Sequence, residues 1–223
     1  MTDQDAQRLE ICRIGRSLFE RGYVHATAGN ISVRLDEAQG GGFLITPTDA
    51  CLGFLEPGQL AWVDASGEQR SGERASKTLA LHRRIYDAAP EARCVLHTHS
   101  THLVALTLQG VWSQDDIVPP LTPYYVMKVG HVPLIPYHRP GDTAVAERVA
   151  QAITAAAQRG TPLRAVMLDR LGPNVWGGSP AQAMSTLEEL EETARLWLMC
   201  HPKPAPLDDA QIDELRRHFG ARW

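Results

Sequence analysis

Apolar and polar positions along the chain switch between a period of 3.6 and a period of 2, and each switch marks an element. Leu9, Cys12, Ile14, Leu18 and Phe19 fall near one face of a helix over 5–21 that Gly22 ends. Ile31 to Leu35 alternates as a strand, Gly40, Gly41 and Gly42 punctuate a hairpin, and 43–45 and 60–63 read as further short strands. Ser76 is placed to cap a helix over 77–88, one face of which carries Thr78, Leu81, Ile85 and Ala88. A strand over 93–99 and a short helix over 101–108 follow. The stretch 132–137 holds two prolines, which a central strand tolerates poorly, so it belongs at an edge or bends sharply. A helix over 143–158 leads to the apolar strand 165–168, which pairs with 174–176 across Leu171, Gly172 and Pro173. Two helices finish the pattern, over 180–200 and over 209–219, the second capped by Asp208 and ended by Gly220.

Composition narrows what this pattern serves. A hydrophobic content of 43% in 223 residues suffices for a sizeable core, and one domain over 1–223 is expected. The net charge of -4 comes from 22 basic and 26 acidic residues without a basic block, which argues against nucleic acid as a partner. The acidic, polar stretch Met1 to Asp5 is unlike a signal peptide, and no run approaches the length of a membrane span. A cytoplasmic protein is expected. Cys12, Cys51, Cys94 and Cys200 are scattered without a Cys-x-x-Cys pair and read as small apolar residues.

Candidate chemistry centres on His97, Thr98, His99, Ser100, Thr101 and His102. On a strand, His97 and His99 project from one side about 6–7 Å apart along the backbone. Two imidazoles so placed can converge on one ion, although a histidine pair that binds nothing satisfies the same spacing. His102, one turn further on, reads as packing. The loop His25 to Asn30, Thr46 at a strand end, and Ser76 with Lys77 at a helix start each suit an anion such as phosphate; an ordinary turn or cap fits them too. Glu188, Glu189, Glu191 and Glu192 read as a solvated helix face rather than a metal cluster.

Taken together, Thr27-Ala28-Gly29-Asn30-Ile31-Ser32, Leu44-Ile45-Thr46-Pro47-Thr48, the Ser76-Lys77 helix start and His97-Thr98-His99-Ser100 resemble, in order, the blocks of the class II aldolase/adducin-like family. Leu121 to Gly130, Arg139-Pro140-Gly141-Asp142 and Leu190-Glu191-Glu192-Thr193-Ala194 resemble its 3-oxo-tetronate 4-phosphate decarboxylase branch. The resemblance implies a three-layer α/β/α fold around a central, mainly antiparallel sheet, assembled as a homotetramer with sites between subunits. It implies a zinc-dependent lyase of carbohydrate metabolism acting on a small phosphorylated keto-sugar acid by decarboxylation, or a related sugar-phosphate aldolase. Gly29, Asn30, Thr46, Ser76 and Lys77 would meet the substrate phosphate, and His97 and His99 would hold zinc. Tyr124 or Tyr125 would reach a neighbouring subunit's site.

Two positions depart from the family pattern. Thr78 stands where the family motif has a catalytic glutamate, and Leu171 where Asn-His-Gly supplies a third zinc ligand. Leucine cannot ligate zinc, and threonine is a poor base near neutral pH. Lys77 and Thr78 are therefore the expected catalytic positions on this helix. His138 is the expected replacement ligand, with His131, Glu73 or a water as its competitors. The same departures support a different class of reading, a member without turnover that serves as a binding or scaffold module; an altered reaction such as epimerisation or dehydration is a third.

Overall fold

A computed structural model describes residues 3–223. Met1 and Thr2, part of the acidic start read above, lie outside the described residues. Among the described residues, eight strands form one sheet in the order β4-β3-β2-β1-β5-β8-β7-β6. They are β1 (Asn30–Arg34), β2 (Phe43–Ile45), β3 (Ala61–Val63), β4 (Gln69–Ser71), β5 (Cys94–His97), β6 (Leu134–Ile135), β7 (Ala165–Leu168) and β8 (Gly172–Gly177). All neighbours are antiparallel except β6 and β7. Strand β6, flanked by Pro133 and Pro136, is cut to two residues and takes an edge of the sheet.

The α-helices among the described residues are α1 (Asp3–Glu20), α2 (Leu79–Ala88), α3 (Thr101–Gln109), α4 (Ala144–Gln158), α5 (Pro180–Met199) and α6 (Asp209–Phe219), the last packed on residues 125–129. Alternation along the central strands sends Ile31, Val33, Cys94, Leu96 and Val175 to one face, where Ile14 and Leu18 of α1, Leu103 of α3 and Leu187 and Leu190 of α5 pack against them. Val95, Val166 and Trp176 point the other way, toward Ile85 of α2 and Val149 and Ile153 of α4. This is the three-layer α/β/α architecture with a mainly antiparallel sheet. On α1 the buried stripe is Ile11, Ile14, Gly15 and Leu18, whereas Leu9 is exposed; Arg8 is buried instead, its guanidinium donating to the Leu60 and Pro57 carbonyls.

Other boundaries shift for local reasons. The Ser76 hydroxyl bonds the Thr78 hydroxyl at 2.7 Å and its carbonyl takes the Leu79 N–H, so a turn occupies 76–78 and α2 starts at Leu79. Strand β5 stops at His97 rather than His99, because Thr98 bonds the Ser100 hydroxyl at 2.6 Å and Ser100 opens α3. Residues 125–129 form a π-helical turn, and β4, which the pattern did not show, pairs with β3. Helix α6 has the expected ends, with Asp208 accepting from the Gln211 N–H and Gly220 left-handed at φ 65°.

Candidate active site

The expected phosphate-binding residues and the histidine pair meet at one end of the sheet. Asn30 opens β1 directly opposite His97, the last residue of β5, and His97 in turn faces Asn174 of β8. Thr46 follows β2; its hydroxyl accepts the Ile31 N–H at 3.2 Å and its carbonyl accepts the Ser76 N–H at 3.2 Å. Gly29, Asn30, Thr46 and Ser76 therefore belong to three segments tied together by backbone bonds, with exposed Lys77 beside them. Gly29 is required: its φ is +85°, and a Cβ there would lie 2.7 Å from the His97 carbonyl oxygen. Gly172 plays the same part on the other side, where a Cβ would lie 1.9 Å from the Thr98 carbonyl oxygen and 3.2 Å from the His99 Cα. That contact holds the turn carrying Leu171 against His99.

The rings of His97 and His99 are 5.1 Å apart, centre to centre. Two imidazoles bound to one tetrahedral zinc, with nitrogen about 2.0–2.1 Å from the metal, have centres about 5 Å apart. Nδ1 of His97 lies 2.9 Å from the Pro173 carbonyl, so that nitrogen carries the proton and Nε2 keeps its lone pair. Burial, then His99, lowers the His97 pKa to about 4, despite the opposing Pro173 bond. Burial and then His25 lower that of His99. Both rings are thus held in the neutral, ligating form at pH 7, and they fit two positions around a divalent metal. A third is not supplied in place: among the described residues no group of three His, Cys, Asp or Glu is gathered closely enough to hold an ion.

His138 is not brought to the pair. It follows edge strand β6, three strand spacings or about 14 Å across the sheet from β5, and its Nδ1 donates to the Pro136 carbonyl at 2.5 Å. Its competitors are engaged elsewhere: His131 bonds Asp116 and stacks on Trp223 with centres 4.4 Å apart, while Glu73 accepts from Gln59. The tyrosines separate as well. Tyr125 is fully buried against Trp223 and cannot reach another chain, whereas Tyr124 is 61% exposed. Thr78 stands at the head of α2 with its hydroxyl on Ser76.

Several polar groups near the pair escaped the sequence reading. His82 of α2 is buried, with Nδ1 2.8 Å from the Ser32 hydroxyl, which also lies 2.8 Å from the Tyr86 hydroxyl; burial and then His97 lower its pKa to about 3. Nε2 of His82, Oδ1 of Asn30 and both amide atoms of Asn174 are buried without a protein partner. His25 stands with its ring centre 6.5 Å from that of His99. Glu191 is a correction: far from being solvated, it is 7% exposed and accepts from the backbone N–H of His102 and Leu103 and from the His102 ring, capping α3. Cavities of about 360 and 510 Å³ lie apart from this cluster, the first lined by Lys128, Arg164 and Trp176 and the second by Asp116, His131 and Arg159. The histidine pair is instead approached past half-buried His99 and exposed His25, from the surface. No described helix is long and apolar enough to cross a membrane.

Comparison with known proteins agrees with this layout. Residues 9–198 match the class II aldolase and adducin N-terminal domain model. A 3-oxo-tetronate 4-phosphate decarboxylase from Cupriavidus necator is 58% identical, with all of both chains covered. The crystal structure of YgbL from Escherichia coli, described as an aldolase/epimerase/decarboxylase, superposes with a TM-score of 0.86 at 40% identity over 96% of this chain and 99% of that one. An L-fuculose 1-phosphate aldolase structure shares the fold, with a TM-score of 0.75 at 21% identity over 96% and 95% of the two chains. The family model matched over residues 9–198 and the 58% identity over both full chains place this chain in the class II aldolase and adducin N-terminal domain family.

Proposed function

We propose that this protein is a metal-dependent carbon–carbon lyase that decarboxylates a phosphorylated 3-oxo sugar acid of the 3-oxo-tetronate 4-phosphate type. The supporting observation is the convergence of Gly29, Asn30, Thr46 and Ser76 on the neutral His97 and His99 pair, in a chain 58% identical over its full length to a decarboxylase of that name. A divalent metal held by His97 and His99, zinc in this reading, supplies electron withdrawal from the 3-oxo group.

The chain's own residues do the rest. Lys77, exposed at the 76–78 turn, meets a phosphate or carboxylate, and Asn30 offers its amide beside His97. Breaking the C1–C2 bond releases carbon dioxide and leaves its electron pair as an enediolate over C2 and C3, so no base is needed to begin. This is why Thr78 in place of glutamate is compatible with decarboxylation and poorly compatible with proton abstraction. The enediolate then takes a proton at C2, and exposed Tyr124 of a neighbouring subunit in a cytoplasmic homotetramer is the donor in this reading.

Leu171, Thr78 and the lack of a third gathered ligand favour a second reading, binding without turnover. Carbon dioxide release from 3-oxo-tetronate 4-phosphate by zinc-supplemented protein separates the two. Release that His97→Ala abolishes supports the lyase; substrate binding with no release supports the binding module.

A further inference from the structure

We infer that His25 is the third imidazole of the metal site, replacing the ligand that Leu171 cannot provide. The inference rests on the metal-dependent lyase reading, but it concerns a residue of the loop before β1 rather than the β7–β8 turn.

The argument is geometric. His97 and His99 already have the spacing of two imidazoles on one ion, at 5.1 Å. His25 is the neighbouring imidazole on the open side, with its ring centre 6.5 Å from that of His99 and its plane inclined by 70°. Shared coordination requires centres about 5 Å apart, so the ring must approach that of His99 by roughly 1.5 Å and must swing toward that of His97 as well. His25 is exposed, so rotation about its side-chain bonds supplies that movement without disturbing the core.

Its loop is fixed to the pair at both ends. The Ser100 hydroxyl donates to the Tyr23 carbonyl at 3.3 Å, and Gly29 lies against the His97 carbonyl. Between these anchors the turn is closed by the Ala28 N–H on the His25 carbonyl, 2.9 Å. The imidazole is therefore carried on a short tether beside the pair, whereas His138 would have to cross two intervening strands, β7 and β8. Three imidazoles and one open position suit a borderline divalent cation, Zn²⁺ or Co²⁺, more than Mg²⁺ or Ca²⁺, which prefer oxygen.

Titration of the full-length protein with Co²⁺, read by its visible absorption, and with Zn²⁺ against a competing chelator tests this. Wild type is expected to bind one ion per chain with the absorption of a tetrahedral site. His25→Ala should weaken Zn²⁺ binding on the order of 100-fold or more, with an unchanged melting temperature for the metal-free protein. His25→Cys should restore tight binding and add a thiolate-to-cobalt charge-transfer band, which a merely structural role would not produce. Full affinity in His25→Ala, loss of affinity in His138→Ala instead, or no metal binding by wild type would each overturn the inference. Carbon dioxide release by wild type is scored separately. Turnover with metal binding indifferent to His25 removes the inference and keeps the lyase; metal binding through His25 without turnover does the reverse.

Discussion

The two faces of the central strands differ in kind although they belong to the same residues' backbone. Toward α1, α3 and α5 the strands present Ile31, Val33, Cys94, Leu96 and Val175, all at most 3% exposed and part of one apolar cluster with those helices. Toward α2 and α4 the same three strands present Asn30, Ser32, His97 and Asn174 beside Val95 and Trp176. One face minimises polar burial; the other accumulates it at one end, leaving polar atoms of Asn30, Asn174 and His82 without protein partners. Such atoms cost roughly 1–3 kcal/mol each when left unsatisfied. Both faces stabilise the fold through apolar cores, but the cost of the site is borne by the second alone.

The strongest way to break this comparison is to damage the dry face. Leu96→Ala removes a fully buried side chain and should lower unfolding free energy by about 2–5 kcal/mol in urea denaturation. Asn30→Ala, one register position away on the other face, should cost about 1 kcal/mol or less while weakening phosphate-ester binding. Equal stability losses would show that the polar end is structural after all.

Acid acts on the second face through its two buried imidazoles. Burial lowers the pKa of His82 to about 3 and of His97 to about 4, both below an ordinary imidazole near 6.5. Between about pH 6.5 and 4 the unfolded chain binds protons that the folded one refuses, so stability rises with pH there and is lost as pH falls. Urea midpoints for metal-free protein should decline from pH 7 to pH 4.5 by the equivalent of roughly 2–5 kcal/mol. His82→Gln should flatten part of that decline; an unchanged slope would mean that the His82 ring takes up its proton as readily folded as unfolded.

Much of the frame was legible because local chemistry decides it. Asp208 and Gly220 delimit α6, and the apolar runs 43–45 and 165–168 became β2 and β7 as read. The His97 and His99 pairing was foreseen for a reason that does not hold: β5 ends at His97, so the rings meet through the turn into α3, not through strand alternation. Three-dimensional closure hid the rest. Nothing local in the 23–29 loop shows that Gly29 must lie on the His97 carbonyl, which is what brings His25 to the pair. Four glutamates within five residues look solvated in one dimension, yet α5 just beyond its middle passes the open N-terminus of α3, and Glu191 is taken there.

Glu191 offers a smaller effect that sharpens the contrast on the dry side. Its carboxylate accepts two backbone N–H groups and the His102 ring at a helix N-terminus, where negative charge is favoured. Glu191→Gln keeps the shape and one acceptor, and should cost about 1–2 kcal/mol with metal affinity unchanged. A change in metal affinity would instead couple α3 to the histidine pair.

Asn174 should give the smallest shift and the most informative sign. It is fully buried in β8 between His97 and Val166, and neither amide atom has a protein partner. Asn174→Val exchanges an unsatisfied amide for a β-branched side chain suited to a strand, so unfolding free energy should stay level or rise by up to about 1 kcal/mol. If the amide serves substrate or an ordered water beside His97, carbon dioxide release should fall in that same variant, since stability gained at a functional position is paired with lost function. A variant less stable than wild type would mean that the amide is satisfied in solution, and the cost assigned to this face would have to be carried by Asn30 and His82 alone.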